Sequence, residues 1–200
     1  MATRLTEQKV VVAEGRDDVH LVQVVATHLG LVGFQILSFD GVDNLRGYLK
    51  ALPSVSGFDQ VRSLGIVCDA EDSADARFQS VSNGLLAAGL PAPAAPLSAT
   101  EGTPRVVVLI NPHGAAHGSL EDVCVASAGA DPAIPCVDAY LDCLRRAEIP
   151  GPRNTAKTRA HAFIASRDRP DVSLGIALQR SYFPVAHTAF DPVRRLLSML

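Results

Sequence analysis

The sequence predicts an α/β fold: a mostly parallel four-stranded sheet with helices on both faces and a helical C-terminal extension. Three observations carry this. Four short apolar runs of strand length recur, at residues 9–13, 34–39, 64–68 and 105–110. Apolar residues at helical spacing follow each run. The runs themselves are nearly continuous in valine, leucine and isoleucine rather than alternating, as in strands buried on both faces.

The elements follow in order. Lys9 to Ala13 is β-branched and runs straight into Glu14, Gly15, Arg16, Asp17 and Asp18. Val19, Val22, Val25, Ala26 and Leu29 then mark a helix that Gly30 stops. After the second strand, Asp40, Gly41 and Asn44 form a turn that starts a helix reaching about Leu52. The third strand ends at Asp69, and Ala74, Phe78, Val81 and Leu85 mark the helix beyond it. Four prolines in residues 91–104 make that stretch a loop. Past the fourth strand and Asn111, Ser119 caps a helix with Asp122 at its third position. Val137, Tyr140, Leu141 and Leu144 mark another helix, and residues 157–167 a further one with Ala160, Phe163 and Ile164 inward. Phe190, Val193, Leu196, Leu197 and Leu200 share the last helical face. The terminal leucines are expected to cover the sheet, a homodimer contact being their other use. A single domain over 1–200 is expected, with a core at about 8–130 and a helical basic part at about 131–200.

Composition narrows the function classes. Hydrophobic residues are 48% and charged residues 20%, the balance of a globular chain. No apolar run approaches the roughly 18 residues that span a bilayer, and residues 1–9 lack the apolar segment of a secretory signal. A cytoplasmic protein is therefore expected. Cys68, Cys124, Cys136 and Cys143 show no Cys-x-x-Cys spacing and read as buried apolar groups. His113 and His117 lie in a Gly/Ala-rich loop without a third ligand at zinc spacing, and read as polar loop residues.

The formal net charge of −3 hides an asymmetry. Residues 1–144 carry 8 basic and 17 acidic side chains, whereas residues 145–200 carry 10 and 4. Within the acidic part, the strand ends are the places to look, because ligands of open parallel sheets bind beyond the carboxyl ends of the strands. Glu14 follows the first strand, Asp69, Glu71 and Asp72 the third, and Glu121 lies just past the fourth. Carboxylates gathered on one edge repel each other, and a divalent cation relieves that cost. Oxygen-only ligands suit Mg²⁺ or Mn²⁺ rather than zinc. The plainer alternative is that Asp17, Asp18 and Asp72 serve helix dipoles as N-terminal acids.

At these residues the chain resembles the Toprim superfamily, the catalytic domain of topoisomerases, bacterial primases and several small nucleases. Residues 10–20 (VVVAEGRDDVH) are similar to its first motif, a Glu ending the first strand and followed by Gly. Residues 65–72 (GIVCDAED) are similar to its second, an Asp-x-Asp ending the third. The chain also resembles, over nearly its full length, a small bacterial Toprim-like family of unknown function. Its Glu-Gly-x-Asp-Asp-Val-His, Gly-x-Asp-Asn-Leu and Gly-x-Leu-Glu-Asp motifs match here at Glu14, Gly41 and Gly118 onward. One departure stands out: Glu71 occupies the place of the second Asp, with Asp72 beside it.

The resemblance implies a Mg²⁺-dependent phosphodiester-cleaving nuclease. Glu14 would act as general acid/base or metal ligand, Asp69 and Glu71 would hold the ion, and Asp72 and Glu121 would assist. Related nucleases that carry an ATPase domain use a Lys after the fourth strand, and Lys157 is the only Lys past residue 50; the catalytic set expected is Glu14, Asp69 and Lys157. Arg145, Arg146, Arg153 and Arg159, with further arginines downstream, could track DNA or RNA, or simply solvate helices and pair with the acidic body. The alternative function is a non-catalytic Toprim-like module serving a partner such as a separately encoded ATPase. A phosphoacceptor receiver domain fits worse, because Asn111-Pro112 stands where it would need Ser or Thr.

Overall fold

The computed structural model describes residues 4–151 and 154–200. Its centre is a sheet of four strands, β1 (Lys9–Ala13), β2 (Phe34–Ser38), β3 (Ser63–Asp69) and β4 (Arg105–Asn111), in the order β2-β1-β3-β4. Every pairing is parallel. Parallel neighbours need crossovers, and helices α1 (Arg16–His28), α2 (Leu45–Ala51) and α3 (Ala74–Ala87) lie in them. Five more follow β4: α4 (Leu120–Ser127), α5 (Ala133–Arg146), α6 (Thr155–Ala165), α7 (Leu174–Gln179) and α8 (Asp191–Met199).

The sheet separates two apolar cores because successive side chains point to opposite faces. Val11, Ala13, Val67, Val107 and Leu109 join α1, α4, α6, α7 and α8 in one core. Val10, Val12, Leu64, Ile66, Cys68, Val106 and Val108 pack with α2 and α3 in the other. The C-terminal extension is thus part of the first layer rather than an appendage. The terminal leucines cover the sheet as expected: Leu196 and Leu197 are buried, and Ser63 donates from Oγ to the Leu200 carbonyl at 2.9 Å. Gly65 makes this close approach feasible, since a Cβ there would lie 2.9 Å from Leu200 and 3.2 Å from Leu196.

Some expectations need correction. Cys68 and Cys124 are buried, but Cys136 and Cys143 are exposed. Both belong to α5, which fully buries only Ile134 and Val137 and leaves Tyr140 exposed as well. Leu29 is likewise exposed at the end of α1. Helix α7 has no counterpart among the expected elements: it is one and a half turns long and contains Gly175, too short for a periodic signal. Among the described residues, no helix is long and apolar enough to cross a membrane.

Candidate metal centre at the carboxyl edge of the sheet

Strand ends and helix starts converge on a cleft of about 280 Å³ lined by Glu14, Gly15, Arg16, Asp17, Asp18, Gly41, Asp69, Leu120, Glu121 and Leu174. Glu14 continues β1: its N–H donates to the Val67 carbonyl, and its own carbonyl accepts from Gly41 at 2.9 Å. Gly41 takes φ 105° there, a backbone state that side chains resist. The Glu14 carboxylate accepts from the Asp69 N–H through Oε2 at 3.3 Å, linking the two motifs directly.

Asp18 does more than the helix-dipole role its position suggests. It does serve the start of α1, with Oδ2 accepting from the Gly15 N–H at 3.1 Å. Yet it is only 6% exposed, and its Oδ1 is buried without a hydrogen-bond partner. Oδ1 of Asp69 is in the same condition. Buried polar atoms are nearly always satisfied, so two orphaned carboxylate oxygens on one cleft call for a donor or a cation from outside. At the end of β4, Asn111 pairs in register with Asp69 and is 1% exposed, and its amide nitrogen also lacks a partner. Only its role as a strand end was visible in sequence.

Burial and mutual repulsion set the electrostatics. Asp69 is pushed well above the usual carboxylate range by burial first and by the Asp18 charge second, with the Leu120 backbone partly offsetting them. Asp18 moves the same way through burial, with Glu14, Asp17 and Glu121 adding to it against the Gly15 hydrogen bond. Glu14 is raised by burial, with Arg77 and the Asp69 N–H pulling it down. All donors are oxygens, the set a hard divalent cation prefers. The residues therefore fit Mg²⁺ or Mn²⁺, with Asp18 and Asp69 each offering an unused oxygen. Among the described residues no three His, Cys, Asp or Glu side chains already form a ready-made ligand group. An ion would have to draw these carboxylates together.

The other expected residues distribute as follows. Glu121 lines the cleft from the first turn of α4, where Ser119, the expected cap, and Asp122, the expected third residue, form a capping box. Glu71 and Asp72 are exposed and line an adjacent pocket of about 290 Å³ with Ser73, Arg77 and Ser80. Glu71 takes φ 50° and bridges to Gly118 through both backbone groups, at 2.8 and 2.9 Å. That pairing fixes the loop after β3 against the approach to α4. Asp17 is occupied structurally, accepting from the Gly175 N–H at 2.8 Å and tying α7 to α1.

Lys157 is exposed in the first turn of α6, not among the cleft-lining residues. Arg159 is committed to Asp138 through two hydrogen bonds of 2.6 and 2.7 Å, and Arg145 pairs with Asp142 at 2.8 Å. Arg146 is exposed. Arg153 lies outside the described residues.

Fold and site together define a parallel α/β protein with an uncompensated acidic cleft at the carboxyl edge of its sheet. More particularly, the chain belongs to the family described as "Protein of unknown function (DUF3226)", which matches residues 8–200. No curated protein matches it significantly. Among solved structures it is similar to the C-terminal region of the Xanthomonas campestris pv. campestris OLD protein, at 14% identity and a TM-score of 0.42, covering 98% of this chain and 87% of that one. The C-terminal region of the Burkholderia pseudomallei OLD protein is similar at 13% identity and a TM-score of 0.40, over 98% and 89%.

Proposed function

We propose that this chain is a Toprim-like, Mg²⁺- or Mn²⁺-dependent nuclease that cleaves phosphodiester bonds of DNA or RNA in the cytoplasm. One observation carries the reading: Asp18 and Asp69 each hold a buried carboxylate oxygen without a partner on the cleft that Glu14 lines. Asp18 and Asp69 would hold the ion, with Glu121 assisting from α4 and Glu71 or Asp72 from the neighbouring loop. A bound divalent ion supplies positive charge to a phosphate and to the departing oxygen. Glu14, raised by burial, would act as general acid/base toward an oxygen of the scissile phosphate. Asp69 orients that carboxylate through its backbone N–H. Lys157 and the arginines at 145, 146, 153 and 159 belong to this reading as charge for the transition state and the nucleic-acid backbone.

The experiment is incubation with labelled single- and double-stranded DNA and RNA in Mg²⁺ or Mn²⁺. Cleavage that Glu14→Gln abolishes supports the assignment; the absence of any such cleavage sinks it. The second reading, a non-catalytic module working with a separately encoded ATPase, is favoured by Glu71, which stands in place of the motif's second Asp and faces water. Under that reading the chain cleaves nothing, alone or with the ATPase. Calorimetric Mn²⁺ binding lost in Asp69→Asn argues against a bare scaffold.

A further inference from the structure

Arg77 sits in the first turns of α3 and reaches back to the end of β3, where its Nε donates to the Asp69 carbonyl at 3.0 Å. It is the cation acting most strongly on Glu14, and Glu71 is the acid that acts on Glu14 against it. Glu71 and Asp72 share its pocket. An arginine among three carboxylates would ordinarily close an ion pair. Among the described residues Arg77 closes none, and neither terminal nitrogen has a hydrogen-bond partner. Neither is a buried orphan, so both keep some access to solvent.

A guanidinium pinned through Nε keeps its two outer N–H groups parallel and free. That fork matches two oxygens of a phosphate, and pre-orientation lowers the entropy lost on binding. The Asp69 peptide joins this group to the cleft, since its N–H serves Glu14 and its carbonyl serves Arg77. We propose that Arg77 is the phosphate-binding residue of the site, its terminal nitrogens taking the non-bridging oxygens of a phosphodiester beside Glu14. This deepens the nuclease reading and rests on it for the identity of the substrate. A merely structural Arg77 would hold the end of β3 and have no dealings with substrate.

The test uses the full chain and a short phosphorothioate oligonucleotide, with binding followed by fluorescence anisotropy in Ca²⁺ and without divalent ions. Mn²⁺ titration by calorimetry runs in parallel. Arg77→Gln is expected to weaken oligonucleotide binding about 10- to 100-fold, the worth of charge-assisted hydrogen bonds. Its Mn²⁺ affinity should stay level or rise, because a positive charge leaves the neighbourhood of the acids. Arg77→Lys keeps the charge without the fork and should recover only part of the loss; it also serves if Arg77→Gln does not fold. Unchanged oligonucleotide binding in both variants overturns the proposal, as does equal loss of oligonucleotide and Mn²⁺ binding. Should the wild type cut nothing and bind no Mn²⁺, yet grip the oligonucleotide through Arg77, the nuclease reading fails and the phosphate contact stands.

Discussion

Two groups of carboxylates in this molecule live under opposite rules. In the chain beyond β4, Asp131 pairs with Arg167 at 2.9 Å, Asp138 with Arg159 at 2.6 Å and Asp168 with Arg180 at 2.9 Å. Each of these acids is held below the usual range, by its arginine in the first two cases and chiefly by the Tyr182 hydroxyl in the third. At the carboxyl edge of the sheet, Asp18, Asp69 and Glu14 have no ion-pair partner among the described residues, and all three are raised. The chain has arginines in number, and its C-terminal quarter engages many of them locally. Among the described residues three pairs, Arg145–Asp142, Arg159–Asp138 and Arg167–Asp131, join the basic quarter to the acidic part and resolve some of the charge split, while the strand-end acids stay without ion pairs. Under the metal-dependent reading proposed above, these bare carboxylates are the groups a cation would take.

The largest effect expected from breaking this contrast is at Asp69. Asp69→Asn removes a charge and one of the two unused oxygens, and should lower Mn²⁺ affinity by more than about 100-fold, since even outer partners of metal ligands are worth about 10–100-fold. Asp138→Asn, among the paired acids, should leave Mn²⁺ affinity unchanged. Calorimetry on both variants checks this, and equal losses would erase the distinction between the two groups.

The next effect is on stability against pH. An acid raised on folding binds protons more tightly in the folded state, so its contribution is present at low pH and lost as pH rises through the folded pKa. Asp18 is pushed up to about 7 and Asp69 to about 9, from 3.8. The metal-free protein should lose stability progressively between about pH 5 and pH 9, because both acids must give up protons that the folded state holds more tightly than the unfolded chain does. The paired acids work the other way, losing stability only as pH falls below about 4. Mg²⁺ or Mn²⁺ should restore what is lost, with a Tm gain that grows with pH and proton release on binding. Thermal melts from pH 5 to 9 with and without Mn²⁺ test this, and Asp18→Asn with Asp69→Asn should flatten the metal-free profile. A melting temperature that climbs from pH 5 to 9 without metal contradicts it.

The strands were legible because parallel strands buried on both faces leave uninterrupted apolar runs, and β1 was bounded as the structure has it. Capping chemistry announced α4 at Ser119 and Asp122. The acids at Glu14 and Asp69 were legible by their place at strand ends, and Glu121 by its place at the start of the helix after β4. Asp18 was masked by its own neighbourhood, because an acid in the first turn of a helix already has a dipole reason to be there. Only burial shows that one of its oxygens is left over. Arg77 gave no signal, since an arginine on an amphipathic helix looks like solvated surface until its Nε is seen on Asp69. The commitment of Arg159 to Asp138 was hidden too, being a contact between two helices.

The packing that holds the basic quarter beside the acidic cleft offers a middle-sized effect. Gly65→Ala would put a methyl 2.9 Å from Leu200 and 3.2 Å from Leu196. Overpacking of this kind costs about 1–3 kcal/mol. The loss should show as faster amide exchange in α8 with β1 and β2 still protected, and with Mn²⁺ affinity within about twofold of wild type. Collapse of metal binding instead would mean that α8 and the cleft act as one unit.

The smallest effects decide what the basic quarter does. Arg159→Ala breaks a partly exposed pair, worth about 0.2–1 kcal/mol after solvent screening. If nucleic acid lies along this surface, the arginines already held by aspartates should contribute least, because they must leave one anion to meet another. Arg146, exposed and without an ion pair among the described residues, should contribute most. Arg146→Ala is expected to reduce the slope of log affinity against log salt by about one, the signature of one lost phosphate contact. Arg159→Ala should reduce it by clearly less. Measuring oligonucleotide binding by both variants across a salt series separates the alternatives: identical slopes to wild type would leave Arg159 as the counter-ion of Asp138 and Arg146 as solvated surface, and nucleic acid would have to approach the cleft from the Arg77 side.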